Sequence, residues 1–267
     1  MKTNSSGKKI AITGYFALAI LAFVSTPLLA GERPMGIRPQ SISSTSHGVV
    51  SQIADGTSWI TSITLVNLED SPSEYQVDFY DDSGNPMKLD FTAGSWSSVS
   101  GTLAVNGSIV IETTGESSVL KQGYAIVNDT ICCPHLGGHA VFRNHIPGRP
   151  DTEAVVPLSS FDSDGQYVLP FDNTNGFVTS MAYCNPWKYD ATTITAAIYD
   201  EAGNRLYLDQ FRADPRKHEA FTLPERWTQT VGKRGVVVFS VTGYWSALGL
   251  RFNPAGSFTS VFPFTKY

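Results

Sequence analysis

The densest group of reactive side chains is Cys132-Cys133-Pro134-His135-Leu136-Gly137-Gly138-His139, with His145 a short way beyond. Two thiols and two imidazoles on one loop would suit zinc or copper, which prefer those ligands. The spacing argues against a metal. Adjacent cysteines do not easily both reach one tetrahedral ion, and zinc sites use C-x2-4-C. Cys132, Cys133, His135 and His139 are therefore weak metal candidates, and no metal or other cofactor is expected. In an oxidising compartment the thiols are expected in a disulfide instead. Cys184 is the third and last cysteine, so one thiol stays unpaired or joins a second chain. The pairings Cys132–Cys133, Cys132–Cys184 and Cys133–Cys184 are all open.

Two acidic phrases come next, Asp81-Asp82-Ser83-Gly84-Asn85 and Asp200-Glu201-Ala202-Gly203-Asn204. Calcium would need about six to eight oxygens, more than these phrases offer. Hairpin turns are expected, with Asp and Asn accepting local backbone hydrogen bonds and Gly at positive φ. Asp162, Asp164 and Asp172 raise the question of a carboxylate pair for glycoside hydrolysis, but Asp162-Ser163-Asp164-Gly165 reads as a loop. There is no G-x-S-x-G elbow and no H-E-x-x-H. His47, His135, His139, His145 and His218 belong to no catalytic phrase. No catalytic residue is assigned.

The aromatic side chains are more suggestive. Five Trp and 11 Tyr contribute to an aromatic fraction of 12%. Exposed rings on a sheet face or rim stack on sugars, combining an apolar face with a polar edge. Trp59 aligns with Phe177 in a repeat described below, which favours burial. Trp96, Trp187, Trp227 and Trp245 lie near expected turns or strand ends, so they are the candidate ligand-binding residues. Arg143 and Arg251 recur at one place in that repeat. A structural ion pair or a hydrogen bond to backbone is expected at each, with Glu153 a candidate partner for Arg143.

The elements that must position these residues read as strands. Trp59, Thr61, Ile63 and Leu65 share one face by period-two alternation, as do Phe177, Thr179, Met181 and Tyr183. Tyr75, Val77 and Phe79 alternate with polar residues, and Ile194, Ala196 and Ile198 do so later in the chain. Four stretches recur in the same order. Trp59–Asn67 aligns with Phe177–Asn185, Phe79–Asn85 with Ile198–Asn204, Lys121–Val127 with Lys233–Phe239, and Arg143-Asn144 with the Arg251-Phe252-Asn253 run. Many short strands, regular turns and an internal repeat of roughly 110 residues with its stretches in the same order indicate an all-β chain of two tandem antiparallel β-sandwich domains, Ig-like or jelly-roll-like, related by duplication. The boundaries are 48–158 and 164–267, with residues 31–47 a Pro-, Ser- and Thr-rich flexible leader. The segment from 132 to 139 falls where the first unit carries four more residues than the second.

The N-terminus reads as an export signal over residues 1–30. Lys2, Lys8 and Lys9 precede the apolar run Ile10–Val24, and Ala30 ends a polar break. The pattern favours cleavage. Retention as an anchor is the alternative, because Ile10–Ala30 is just long enough to span a bilayer. Removing residues 1–30 leaves 16 basic and 24 acidic side chains, a net charge of −8. That balance argues against nucleic acid and anionic membranes, which demand clustered Lys and Arg.

The phrases Pro170-Phe171-Asp172-Asn173-Thr174, Asn175-Gly176, Ala247–Pro254 and Gly256–Ser260 resemble those of a group of uncharacterised exported tandem β-sandwich proteins of environmental bacteria. The resemblance covers most of the chain after the leader. It implies a secreted β-sandwich protein and carries no activity or site residues. The expectation is a secreted or cell-surface (alternatively periplasmic) non-catalytic binding or adhesion-type protein, its partner an extracellular glycan or protein surface. A self-associating structural surface component and a carbohydrate-active hydrolase are the alternatives.

Overall fold

In a computed structural model, residues 45–129, 136–160 and 162–266 are described. The first half runs β1 (Thr45–Asp55), β2 (Trp59–Asn67), β3 (Ser73–Asp81), β4 (Leu89–Phe91), β5 (Gly94–Trp96), β6 (Ser98–Leu103), β7 (Ser108–Glu112), β8 (Lys121–Asp129), β9 (Leu136–Asn144) and β10 (Thr152–Pro157). The second half runs β11 (Asp162–Asp172), β12 (Val178–Cys184), β13 (Thr192–Asp200), β14 (Arg205–Ala213), β15 (His218–Thr222), the one-turn helix α1 (Leu223–Arg226), β16 (Arg234–Phe252), β17 (Phe258–Val261) and β18 (Phe264–Lys266). All described strand pairs are antiparallel. Among the described residues no helix is long and apolar enough to cross a membrane. The export segment expected at 1–30 lies outside the described residues.

Alternation explains why these residues form strands. β3 and β13 show the same inside-outside rhythm, burying Tyr75, Val77 and Phe79 in one and Ile194, Ala196 and Ile198 in the other. Period-two burial is what a sheet with one covered face requires. β12 departs from it: six consecutive residues, Thr179 to Cys184, are buried. Both of its faces are therefore covered.

Two sheets build the first half, ordered β1-β8-β3-β6 and β10-β9-β2-β7. One apolar core joins them, with Val50, Val77, Phe79 and Val127 from the first sheet and Ile63, Leu65, Phe142 and Val156 from the second. Leu89 and Phe91 on the short β4–β5 hairpin complete it. In the second half β14-β13-β16-β11-β18 form one ladder, while β12 pairs with β15 and β16, and β17 pairs with β16. β16 serves both ladders. Residues up to Thr242 pair with β13 and residues from Ser246 pair with β12. The strand bends at Gly243, at φ 109°, where a Cβ would stand 2.8 Å from the Thr192 hydroxyl. Glycine alone meets both demands.

The halves pack through apolar surface. Leu248, Leu250 and Phe258 of the second half belong to the first core, and Phe258 stacks on Trp59 at 5.6 Å. Val49, Tyr124 and Ile126 cover Cys184 on the outer face of β12. The connection between the halves is pinned as well, since Val49 and Ser159 exchange backbone hydrogen bonds of 2.8 and 3.0 Å.

In the second core, Trp227 packs between Phe221 of β15 and Phe239 of β16. The segment after β15 turns helical because Thr222 caps it, accepting from the Glu225 N–H, and Pro224 suits the first turn. The Trp227 ring lies edge-to-face on Phe221 at 5.5 Å, and its indole N–H donates to Asp209 at 2.9 Å. At 1% exposure it is core rather than the exposed ligand-binding candidate the turn position suggested. Removing a ring so enclosed costs about 3–5 kcal/mol. Trp227→Ala is therefore expected to lose about that much stability in urea unfolding, and a loss below about 1 kcal/mol would show that the ring does not plug the core.

Candidate functional site

Trp187, Tyr189 and Tyr244 form an aromatic cluster on the surface of the second half. Its base is Asn185, wholly buried at the end of β12. The Asn185 amide donates to the carbonyls of Asp190 at 2.8 Å and of Ala213 and Asp214 at 3.2 Å, and its oxygen accepts the Trp187 N–H at 3.0 Å. One side chain thus fixes the loop 186–191 to the β14–β15 connection. Arg216 adds a second tie, its N–H donating to the Trp187 carbonyl at 3.0 Å.

The rings follow from that scaffold. Tyr244 comes directly after the Gly243 bend, and its carbonyl accepts the Thr192 hydroxyl at 2.6 Å. Trp187 stacks on Tyr244 with centroids 4.6 Å apart, and Tyr189 meets Trp187 edge-on at 5.5 Å. The Trp187 indole N–H donates to Asp190 at 3.2 Å. Tyr189 is 66% exposed, with the Lys188 ammonium 4.8 Å from its ring centre. Rings held by backbone hydrogen bonds, with an acid and a base at their edge, offer an apolar face and polar partners with little left to order.

The other tryptophan candidates are not brought here. Trp245 points inward from β16, 3% exposed and stacked on Tyr183 at 5.0 Å. Its expected exposure is corrected by strand alternation, which puts Tyr244 outward and Trp245 inward. Trp96 is half-buried against the first core, with its indole nitrogen enclosed and unpartnered. Tyr189 and Tyr244 are functional candidates that the sequence alone does not single out. The spacing Trp187-Lys188-Tyr189 was the available signal for the first, and nothing in sequence links Tyr244 to it.

Cys184 is a free thiol, not half of a disulfide. It is fully enclosed by the first half, and burial pushes its pKa far up, so it is an inert core residue. Cys132, Cys133 and His135 lie outside the described residues. His139 is exposed on β9, and no group of three or more metal-ligating side chains occurs among the described residues.

The carboxylates do not converge. Asp164 caps the bend of β16, accepting the Gly243 N–H at 2.7 Å. Asp172 lies at the other end of β11, paired with Arg251 at 2.9 Å and Arg234 at 3.1 Å. Burial would raise its carboxyl, but Arg251, Thr174 and Arg234 outweigh it and hold it well below the usual range. Eight residues of strand, roughly 26 Å, separate these two acids. The Arg251 guanidinium also lies over Phe177 at 3.7 Å. Arg143 pairs with Asp151 at 3.6 Å rather than with Glu153, its neighbour across the β9–β10 ladder.

Both acidic turns close on themselves. Asp81 accepts from the N–H groups of Ser83 and Asn85 at 2.8 and 2.9 Å, and Asp200 accepts from Ala202 and Asn204 at 3.0 and 2.9 Å. Gly84 and Gly203 sit at φ 80° and 81°.

Compared with known proteins, the chain matches no family model and no curated protein.

One buried acid remains. Asp55 is 1% exposed, and its Oδ2 has no hydrogen-bond partner. Burial raises its pKa against the opposing hydrogen bonds of Thr113 and Gly115. It is closed to any substrate, so its consequence is for stability. A raised folded pKa favours the fold below the unfolded pKa, and that contribution is lost as pH rises through the folded value. Asp55→Asn keeps an acceptor for Gly115 and carries no charge. Its stability relative to the parent is expected to improve from about pH 4 to about pH 7, read by urea unfolding at both. A constant difference would mean that Asp55 does not titrate in this range.

Proposed function

We propose that this chain is an exported pair of tandem β-sandwiches born of internal duplication. It acts as a non-catalytic binding protein whose second sandwich stacks carbohydrate on Trp187, Tyr189 and Tyr244. The duplication is supported by strand order. Replacing β1, β8, β3 and β6 by β11, the first part of β16, β13 and β14 reproduces one sheet. Replacing β10, β9, β2 and β7 by β17, the rest of β16, β12 and β15 reproduces the other. Details agree at the atomic level. Asn67 donates to Ser71 and Ala104 carbonyls at 2.8 and 3.0 Å, as Asn185 does to its own loop and to the strand connection beyond. Export rests on the N-terminal pattern and on the resemblance to exported tandem β-sandwich proteins.

The observation that carries the binding reading is the fixed cluster with Tyr189 projecting from it. It belongs to the second sandwich alone, because the loop at the corresponding place in the first reads Leu68-Glu69-Asp70 without a ring. A sugar needs an apolar ring face for its C–H side and polar groups for its hydroxyls. Lys188 and Asp190 flank the ring and suit the second role.

The test is retention of the purified protein on a panel of insoluble polysaccharides, with Tyr189→Ala compared against Tyr207→Ala on the distant strand β14. Selective retention is expected on one glycan, weakened roughly tenfold by Tyr189→Ala, the loss of about 1.4 kcal/mol, and unchanged by Tyr207→Ala. Absence of retention on every glycan, or equal retention by both variants, would overturn the carbohydrate reading.

A further inference from the structure

The chemistry of the junction between the halves is carried by one histidine. His218 opens β15 and is 0% exposed. Its Nδ1 lies 2.7 Å from Asp82 Oδ1 and its Nε2 lies 3.0 Å from Gln52 Oε1. Both partners belong to the first half, on the turn after β3 and on β1. The Gln52 amide nitrogen is committed elsewhere, donating to the Ile53 carbonyl at 2.9 Å. That contact fixes which end of the amide faces the histidine. Each ring nitrogen therefore faces an oxygen that only accepts, and a neutral imidazole has one N–H to give. The geometry is satisfied when both nitrogens carry hydrogen.

We propose that His218 is a proton-dependent lock between the two halves: the doubly protonated ring ties β15 to Gln52 and Asp82, and loss of one proton as pH rises releases one of the ties.

Tyr124 on β8 stacks on the His218 ring at 6.1 Å, and Tyr80 on β3 stacks on Tyr124 at 5.3 Å. Cys184 on β12 is the cross-strand partner of His218. Burial pushes both the Tyr124 hydroxyl and the Cys184 thiol upward, so both stay neutral near neutral pH. Arg216 and Lys217 precede His218. The Arg216 guanidinium lies 4.2 Å from the Tyr80 ring centre, and Lys217 helps to lower Asp82. Gln122 on β8 donates to the second Asp82 oxygen at 2.9 Å. Burial works to raise the Asp82 carboxyl, but the hydrogen bond and charge of His218 outweigh it and leave it below its ordinary value. The acid is thus ionised opposite the ring, and a charge on the histidine is compensated.

The lock is also where the two halves meet backbone to backbone. The His218 N–H donates to the Asp82 carbonyl at 3.2 Å. Gly84, at φ 80°, lies so close to Arg216 that a Cβ would collide with it. Opening this contact would loosen the 214–218 connection, from which Arg216 holds the Trp187 carbonyl. The proposal does not need a carbohydrate ligand and is tested without one.

Two measurements on the full chain decide it. Nitrogen-detected NMR of the His218 ring reads its protonation directly, and hydrogen exchange of residues 81–85 and 214–218 reads the contact, corrected for base catalysis, from about pH 6 to about pH 9. The expected result is two ring N–H groups at the acidic end, one at the alkaline end, and a several-fold rise in exchange at both segments over the same interval. His218→Gln cannot be charged and should show no such step. A single ring proton throughout, or a step that persists in His218→Gln, overturns the proposal. If that variant fails to fold, the ring spectrum of the parent chain still decides.

Discussion

The second half depends on one continuous strand. β16 is 19 residues long and central in both of its ladders, between β13 and β11 at its start and between β12 and β17 at its end. A strand that changes sheets must turn sharply without leaving its backbone groups unpaired. Gly243 supplies the turn, and Asp164 takes the N–H that the bend frees from the ladder. The consequences reach both faces. The bend leaves Tyr244 on the surface and Trp245 in the core. The far end of the strand sends Leu248 and Leu250 into the apolar core of the first half. The aromatic cluster and the contact between the halves therefore share one mechanical origin.

Polar side chains act in this molecule chiefly as fasteners. Asn67 and Asn185 stand at the ends of β2 and β12 and tie down the loop that follows. Asp81 and Asp200 close their own turns. Each is a local arrangement that a short sequence phrase specifies, because donor and acceptor lie within a few residues. His218, Gln52 and Asp82 are of another kind. Their partners are 136 and 166 residues away, and only packing of the two halves brings them together. The one kind sets loop shape and the other sets how the halves meet.

That distinction explains what could be read from the sequence. Alternation located the strands through Trp59–Leu65, Tyr75–Phe79 and Ile194–Ile198, since a sheet with one buried face imposes period two on its residues. The acidic turns were legible for the same local reason. Trp227 and Trp245 were not. Being near a turn says nothing about which side a ring falls on, and Trp227 is buried by contacts with Phe221 and Phe239 that only the tertiary fold makes. Cys184 looked available for pairing because sequence cannot show that β12 is covered on its outer face. Of the candidate binding residues, Trp187 alone had a local cue in Trp187-Lys188-Tyr189. Tyr244 joins it through the bend of a strand more than fifty residues later.

The proposed duplication makes the differences between the halves more informative than their likeness. Each core needs a cover at its open side, and each found its own: Leu89 and Phe91 on a hairpin in the first, Leu223 and Trp227 on a helical turn in the second. The place of β16 in the second half is taken in the first by two described strands, β8 and β9. The turn at Asp81 is used at the junction, while its counterpart at Asp200 faces solvent, with nothing within 4 Å of a Cβ placed at Gly203. Because the two halves pack on one another, their corresponding loops do not have equivalent surroundings. A turn that docks is held by its partner's geometry, and Gly84 against Arg216 leaves little room for change. The loop after Asn185 is tied to its own half, with Lys188, Tyr189 and Asp190 exposed. It keeps the Asn185 fastening while its remaining residues are free to differ from Leu68-Glu69-Asp70. A fixed base with a variable rim is the arrangement in which an aromatic surface can be acquired without disturbing the fold that carries it.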